Sequence, residues 1–454
     1  MFLFAFIYNE INESLVSMKQ TKWIHPHQVL AMVQSHMQIV VGMVACEPQV
    51  FLSQLHTIAH RVKDVTILNC LPLQAHPYFS DGQYHDSFTV HSWFLSKPLR
   101  QAYDHGNIRY IPNHLHQAGV KWLATHAQPD LFIGAASMPN KAGKISLSLS
   151  NVYEKRMIQA AKIVVLEVNP HYPFTEGDGV IDMQDVDFLV QTNDPVVELK
   201  DEPIEEKDRL IGRFIAPLIP DGACLQLGIG GIPNAVAHEL KHKKDLGVHT
   251  EMLTNGMLEL YQAGAITNIK KRLHPGQIVC TFIAGRKALY DFVHLNPRVL
   301  LMDANYVNNP DIIKQNPNQI SINSTIEIDL TGQCCSESIG SKPFSGTGGQ
   351  ADTAIGAVKS QGGKSFITLH STAMVKDSLT GQTQEISKIV PFLKPGAVVS
   401  LSRNDVDYVV TEYGVAALRG MDTQTRARRL IEIAHPQFRQ ALILEAKKYN
   451  IITA

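Results

Sequence analysis

The stretch from Leu225 to Gly256, LQLGIGGIPNAVAHELKHKKDLGVHTEMLTNG, decides how this chain is read. Leu225-Gln226-Leu227 ends a short apolar run with strand character, and Gly228-Ile229-Gly230-Gly231 is a glycine turn. Pro233-Asn234 then opens a run with helical apolar spacing through Val236 and Leu240. A strand, a glycine turn and a helix start in that order leave backbone N–H groups unpaired at the positive end of a helix dipole. Such a turn suits a phosphate, a carboxylate or a developing oxyanion. The chain returns through a second short strand, Val248-His249-Thr250, and delivers Glu251 just beyond it. Ligands of open parallel sheets gather at the carboxyl ends of strands, so turn and carboxylate together form a candidate reaction centre. Taken singly, a glycine turn is equally consistent with a structural role, and a strand-end acid with simple solvation.

Working outward, the same order of elements occurs earlier. HPHQVLAMVQ, QIVVG, MVACEPQ and VFLSQL, between Trp23 and Leu55, repeat as GRFIAPLI, CLQLG, IGGIPN and AVAHEL between Ile211 and Leu240. Further on, Val65 to Leu68 parallels Val248 to Thr250, Ala161 to Leu166 parallels Lys364 to Leu369, and Val186 to Val190 parallels Val406 to Val410. One α/β domain used twice is the reading, with mainly parallel sheets because short β-branched runs alternate with helical patterns. The charged stretch Glu198 to Arg209 reads as the linker, dividing the chain into 18–203 and 204–454. Only the second copy carries the glycine turn and the following acid. In the first, Gly42-Met43-Val44-Ala45-Cys46-Glu47-Pro48 fills that place, which assigns the chemistry to the second copy and a facing cleft wall to the first.

A chain of 454 residues exceeds one ordinary core, so two domains of about 200 residues are expected. Apolar content of 44% and charged content of 18% describe a soluble globular protein, and a net charge of −1 argues against a nucleic-acid binder. Six cysteines without CxxC spacing read as reduced, buried thiols of a cytoplasmic protein. The apolar start MFLFAFIY is short and lacks a basic n-region, so residues 1–17 read as a disordered extension before Met18, an alternative start. Neither a signal peptide nor a membrane span is expected there.

Other motifs are weaker. Pro233 replaces the last glycine of a dinucleotide fingerprint, and GxSxG is absent. The pairs His56/His60 and His238/His242 lack a third ligand and read as surface helix histidines, so no metal is expected. Glu327, Glu337 and Glu412 rival Glu251 as carboxylates, but only Glu251 follows the glycine turn by one strand. Alternation with Ile326 and Ile328 puts Glu327 on the open side of a strand. Ser321 to Gly340 reads as hairpin-like and precedes a second glycine cluster, Ser345 to Gln350. The section from TEYGVAALRG onward reads as an arginine-rich helical tail.

Together these pieces resemble the acetyl-CoA hydrolase/CoA-transferase family of class I CoA-transferases. The motifs are LQLGIGGIPNAV, TEMLTNG, INSTIEIDLTGQ, SGTGGQAD, GGKS, VTEYGVAALRG and IEIAHPQFR, with looser matches at AKIVVLEVNP and VDFLVQTNDP. The resemblance implies that Glu251 carries covalent acyl and CoA intermediates. By the same resemblance Gly228, Ile229, Gly230, Gly231 and Ile232 bind CoA and stabilise an oxyanion, and Ile326, Gly349 and Gln361 contact CoA. At Gln361 the chain departs from relatives that carry lysine there, and Met43-Val44 replaces the Gly-His-Ala of butyrate and 4-hydroxybutyrate enzymes. Met43 and Gly348 are therefore candidates for the acyl pocket. The implied activity is transfer of CoA between a short acyl-CoA and a free carboxylate, of succinyl-CoA:itaconate, butyryl-CoA:acetate or 4-hydroxybutyrate type. CoA is then a substrate, no cofactor is held permanently, and a homodimer or homotetramer is expected. An acyl-CoA hydrolase using the same glutamate, and a non-catalytic ligand sensor, are the alternatives.

Overall fold

A computed structural model describes residues 21–376 and 381–453. The expected N-terminal extension and the Met18 start lie outside the described residues. The first half forms an all-parallel sheet of β1 (Lys22–Trp23), β2 (Gln38–Val41), β3 (Val65–Leu68), β4 (Phe88–Ser92), β5 (Ile108–Tyr110), β6 (Leu131–Ser137), β7 (Ile163–Asn169) and β8 (Phe188–Gln191). Their order is β1-β8-β7-β6-β2-β3-β4-β5. Every residue of β6 is buried, as expected of a central parallel strand covered on both faces. Helix α1 (Gln49–Gln54) follows β2 after a one-turn 3₁₀ segment at Val44–Cys46.

The second half opens with α2 (Glu206–Ile215) and builds its sheet from β9 (Cys224–Leu227), β10 (Gly247–Val248), β11 (Gln319–Ser324), β12 (Lys364–Thr368), β13 (Tyr408–Thr411) and β14 (Gly414–Ala417). The order is β10-β9-β11-β12-β13-β14, parallel except for the last pair. The run β8-β7-β6-β2-β3 of the first sheet thus recurs as β13-β12-β11-β9-β10, which makes the internal repeat topological as well as sequential. Beyond β10 the second sheet continues through a bridge between His249 and Val279 to Ile278–Cys280, then Val299–Leu301. Its last partner, Glu176–Gly177, comes from the first half, so the two halves interlock at this edge.

Four expectations need correction. The end of the supposed linker, Glu206 to Arg209, is the first turn of α2, because Asp208 accepts the Glu205 amide at 2.8 Å in a capping box. The hairpin within Ser321–Gly340 is confined to Glu327–Asp329 against Cys334–Cys335; the preceding residues belong to β11 in the parallel sheet, where Ile320 and Ile322 are fully buried. Glu327 faces inward and is only 7% exposed, since its strand packs on further layers and has no open side. Helix begins late in the C-terminal section: Glu412-Tyr413 turn β13 back into β14, with Gly414 at φ +141°, before the helices Thr423–Glu432 and Pro436–Lys448.

His56 sits on a 3₁₀ segment, Leu55–Arg61, with His60, and His242 lies beyond the helix that carries His238. Among the described residues no cluster of three or more metal-ligating side chains occurs, and no helix is long and apolar enough to cross a membrane. All six cysteines are free and buried.

Candidate active site

The repeat places the carboxyl ends of the two sheets beside one another, and a cavity of about 230 Å³ lies between them. Met43, Cys70, Leu71, Phe94 and Leu115 of the first half form one wall. Ile229, Glu251, Met252 and Phe282 of the second half form the other, and the glycine-rich segment 345–350 closes a side.

Glu251 leaves β10 at the position expected from sequence. Its backbone carbonyl accepts from Thr281 and Phe282 amides, at 2.9 and 3.1 Å, which fixes the strand end. The half-buried side chain reaches Asn308, the residue capping the C-terminal end of a short helix (Ala304–Val307), whose Nδ2 donates to Glu251 Oε2 at 2.6 Å. Removal from water pushes the Glu251 carboxyl up to about 7; repulsion from Asp352 adds to this, while Asn308 and the Gly349 amide oppose it. A carboxyl poised there is about half ionised at neutrality, and its ionised form is poorly solvated, which suits a nucleophile. Gly349 is required by contact: a Cβ there would lie 1.9 Å from Glu251 Oε2 and 2.1 Å from Asn308 Nδ2.

The glycine turn lies across the cleft. Gly228 donates its amide to Ile322 in the sheet, so that amide is spent on register. The Ile229 and Gly230 amides meet no acceptor among the described residues. Gly230 is the N-cap of α3 (Gly231–Glu239) at φ +112°, a conformation that side chains resist. Ile229, 53% exposed, borders two spaces, the cleft and a second groove of about 300 Å³ lined by Gly230, Ile232, His370 and Lys388. The Lys388 ammonium has no ion pair among the described residues; burial lowers its pKa to about 8, with Glu412 opposing and Lys207 assisting. Asp208, Glu202 and Glu205 also border this groove, and Asp208 is engaged by His370 Nε2 at 2.7 Å.

The first half carries a closed version of the same turn. Aligning the strand ends on Gly42 and Gly228 sets Val44 opposite Gly230 and Cys70 opposite Glu251, with matching strand pairing (Gln38 with Thr66, Cys224 with Gly247). Val44 takes φ +56°, an outlier for a β-branched residue. Cys70 lines the same cleft as Glu251, and burial pushes its thiol pKa up, so it stays protonated.

The structure therefore gathers Glu251, Gly228, Ile229, Gly348, Gly349 and Met43 around one cavity, with Gly230, Gly231 and Ile232 on the groove side of the turn. Ile326 is half-buried just past the cleft-lining Ser324 and does not line the cavity. Gln361 lies apart from these residues. It is exposed at the amino end of β12, its carbonyl accepting from Asn318, whereas the cleft lies at the carboxyl ends of the strands. Asn308, Cys70, Phe94 and Phe282 were not singled out from the sequence. They converge from four separate segments, and only the structural equivalence of β3 and β10 would have pointed to Cys70.

Sequence and structure comparisons agree. The family models for the acetyl-CoA hydrolase/transferase N-terminal and C-terminal domains match residues 16–199 and 285–446. The 4-hydroxybutyrate coenzyme A transferase of Clostridium kluyveri is 41% identical over 94% of this chain and 97% of its own length. The succinyl-CoA:cyclohexane-1-carboxylate CoA transferase of Geobacter metallireducens is 42% identical over 94% of this chain and 95% of its own. The crystal structure of RipA from Yersinia pestis superposes with a TM-score of 0.88 at 33% identity, covering 96% of this chain and 99% of that one.

Proposed function

The chain belongs to the acetyl-CoA hydrolase/transferase family, and from that premise we propose that it transfers CoA from a short apolar acyl-CoA to a free carboxylate, with Glu251 as nucleophile. Relatives named as CoA-transferases at 36–42% identity make it an enzyme of that class. The observation that carries the mechanism is Glu251 itself: a poorly solvated carboxylate held by Asn308 and Gly349 in the same cleft as the turn that bears the free Ile229 and Gly230 amides.

A Glu251 oxygen attacks the thioester carbonyl; the C–S bond breaks and CoA leaves as thiolate, giving an acyl-glutamyl anhydride. The thiolate then attacks the glutamyl Cδ carbonyl and breaks the anhydride C–O bond. One carboxylate is released, and Glu251 holds CoA as a thioester. An incoming carboxylate attacks that thioester and expels the thiolate, which takes the new acyl group and restores the Glu251 carboxylate. No net proton moves. Free amides of the turn favour the oxyanion of each tetrahedral step, and apolar walls restrict water from the anhydride.

Donor preference follows from the walls. Among the described residues no lysine or arginine lines the cavity, so the second carboxylate of succinate or itaconate would face Met43, Phe94 and Leu115 without a counter-charge from them. Butyryl-type groups suit the cleft better. Lys388 and the outer face of the turn offer anion-complementary surface for the phosphates of CoA in the adjoining groove. In this reading the chain works as two domains, 18–203 and 204–454, in a cytoplasmic homodimer or homotetramer without a bound cofactor.

The test is to give the protein butyryl-CoA with and without acetate, follow both CoA esters, and trap the enzyme with borohydride. Acetate-dependent formation of acetyl-CoA, with Glu251 reduced to its alcohol, supports the proposal. Acetate-independent loss of butyryl-CoA makes the protein a hydrolase. Binding without turnover makes it a ligand sensor.

A further inference from the structure

The closed turn of the first half is tied to the nucleophile through a chain of hydrogen bonds. Met43, whose side chain lines the cleft, donates its amide to Glu154 Oε1 at 3.1 Å. Glu154 is 2% exposed and also accepts from Ser150 Oγ at 2.6 Å and from the Tyr153 amide at 3.0 Å. Ser150 and its neighbours cross into the second half. The Ile283 amide donates to Leu149, the Asn151 amide donates to Thr281, and Ser150 bridges Phe282. Thr281 and Phe282 in turn donate to the carbonyl of Glu251, and the Phe282 side chain lines the cleft. One connected path therefore runs from the acyl wall to Glu251, and Glu154 is the side chain on it that accepts from the Met43 amide.

The turn needs such a tether. Val44 sits next to Met43 in the left-handed region, and where the second half leaves turn amides open, the first half fills that role with a carboxylate. From this connectivity we infer that Glu154, outside the cleft, is a positioning residue that sets the separation of Met43 from Glu251 and thereby the acyl length the enzyme accepts. This rests on the CoA-transfer reading above. Glu154 does not line the cavity; its hydrogen bonds connect it to the lining residues Met43 and Phe282, and its charge also acts on the lining Cys70 thiol.

The test compares wild type with Glu154→Asp, which shortens the tether by about 1.5 Å, and with Ser150→Ala, which removes one hydrogen bond and leaves the carboxylate. Transfer to acetate is measured with propionyl-, butyryl- and hexanoyl-CoA, alongside thermal melting. The expected result is a change of about tenfold in the hexanoyl to propionyl ratio of kcat/KM for Glu154→Asp, with a smaller change in the same direction for Ser150→Ala. Met43→Leu combined with Glu154→Asp should change the ratio non-additively, because both act on one contact. An unchanged ratio in both variants, or equal loss for all three thioesters, overturns the inference. Wild-type protein that transfers CoA from none of the thioesters overturns the function instead, which keeps the two failures distinct.

Discussion

Replacing Glu251 by Gln tests the electrostatics of the site without activity. Burial raises the Glu251 carboxyl from 4.5 to about 7. In the folded protein it therefore holds its proton to near neutrality, while in the unfolded chain it loses it near 4.5. Between those values the folded state binds more protons, so stability falls as pH rises, and the loss is complete above 7. At about 1.4 kcal/mol per unit the shift corresponds to about 3 kcal/mol, and partial exposure to the cleft trims this to about 2–3 kcal/mol. Glutamine keeps an oxygen for Asn308 Nδ2 and cannot ionise, so it escapes the cost. For a chain of this length an unfolding entropy of about 1 kcal/mol/K converts the gain into about 2–3 °C in Tm. Melting curves of both proteins from pH 4.5 to 8.5 should show a gap near zero at the acid end that opens in favour of Glu251→Gln through pH 7. A gap that is constant across that range, or that closes as pH rises, would refute the placement of a desolvated carboxylate in this cleft.

The same ionisation sets activity with the opposite sign: kcat/KM should fall about tenfold per pH unit below 7 and level off above it. Asn308→Ala should move that midpoint upward, because Asn308 Nδ2 stabilises the ionised form. Gly349→Ala should lower kcat by about a thousandfold or more with near-normal folding, since the methyl group would occupy the place of Glu251 Oε2; steady-state kinetics and melting check both parts. Lys388→Gln should raise KM for acyl-CoA several-fold, leave the acyl-pantetheine rate unchanged and weaken the salt dependence of KM, as expected when one contact to a phosphate is lost.

Local order carried much of the reading. Strand, glycine turn, helix and a returning strand with an acid at its end are adjacent in sequence, so Gly228 to Glu251 specify their own geometry, and the structure keeps it. The α/β class and the repeat were legible for the same reason: buried parallel strands declare themselves as apolar, β-branched runs, and the runs recur in order. Local pattern and structure part where two structures share one local pattern. Ser321 to Ser324 alternates like a hairpin arm yet lies in the middle of the sheet, and Gln361 sits in a glycine cluster that belongs to the far end of its strand.

By itself, then, the sequence determined the place of Glu251 one strand after its glycine turn and the twofold use of one α/β unit, because strand, turn and helix are adjacent in the chain and the pattern recurs in order. Only tertiary structure decided what surrounds Glu251. Gly349, Cys70 and Phe94 reach the cleft, and Asn308 reaches the Glu251 carboxylate, from segments far apart in the chain, brought together by two sheets packed end beside end. The raised pKa of Glu251 belongs to that second category, since desolvation is a property of everything that excludes water from a group and no short stretch of residues encodes it.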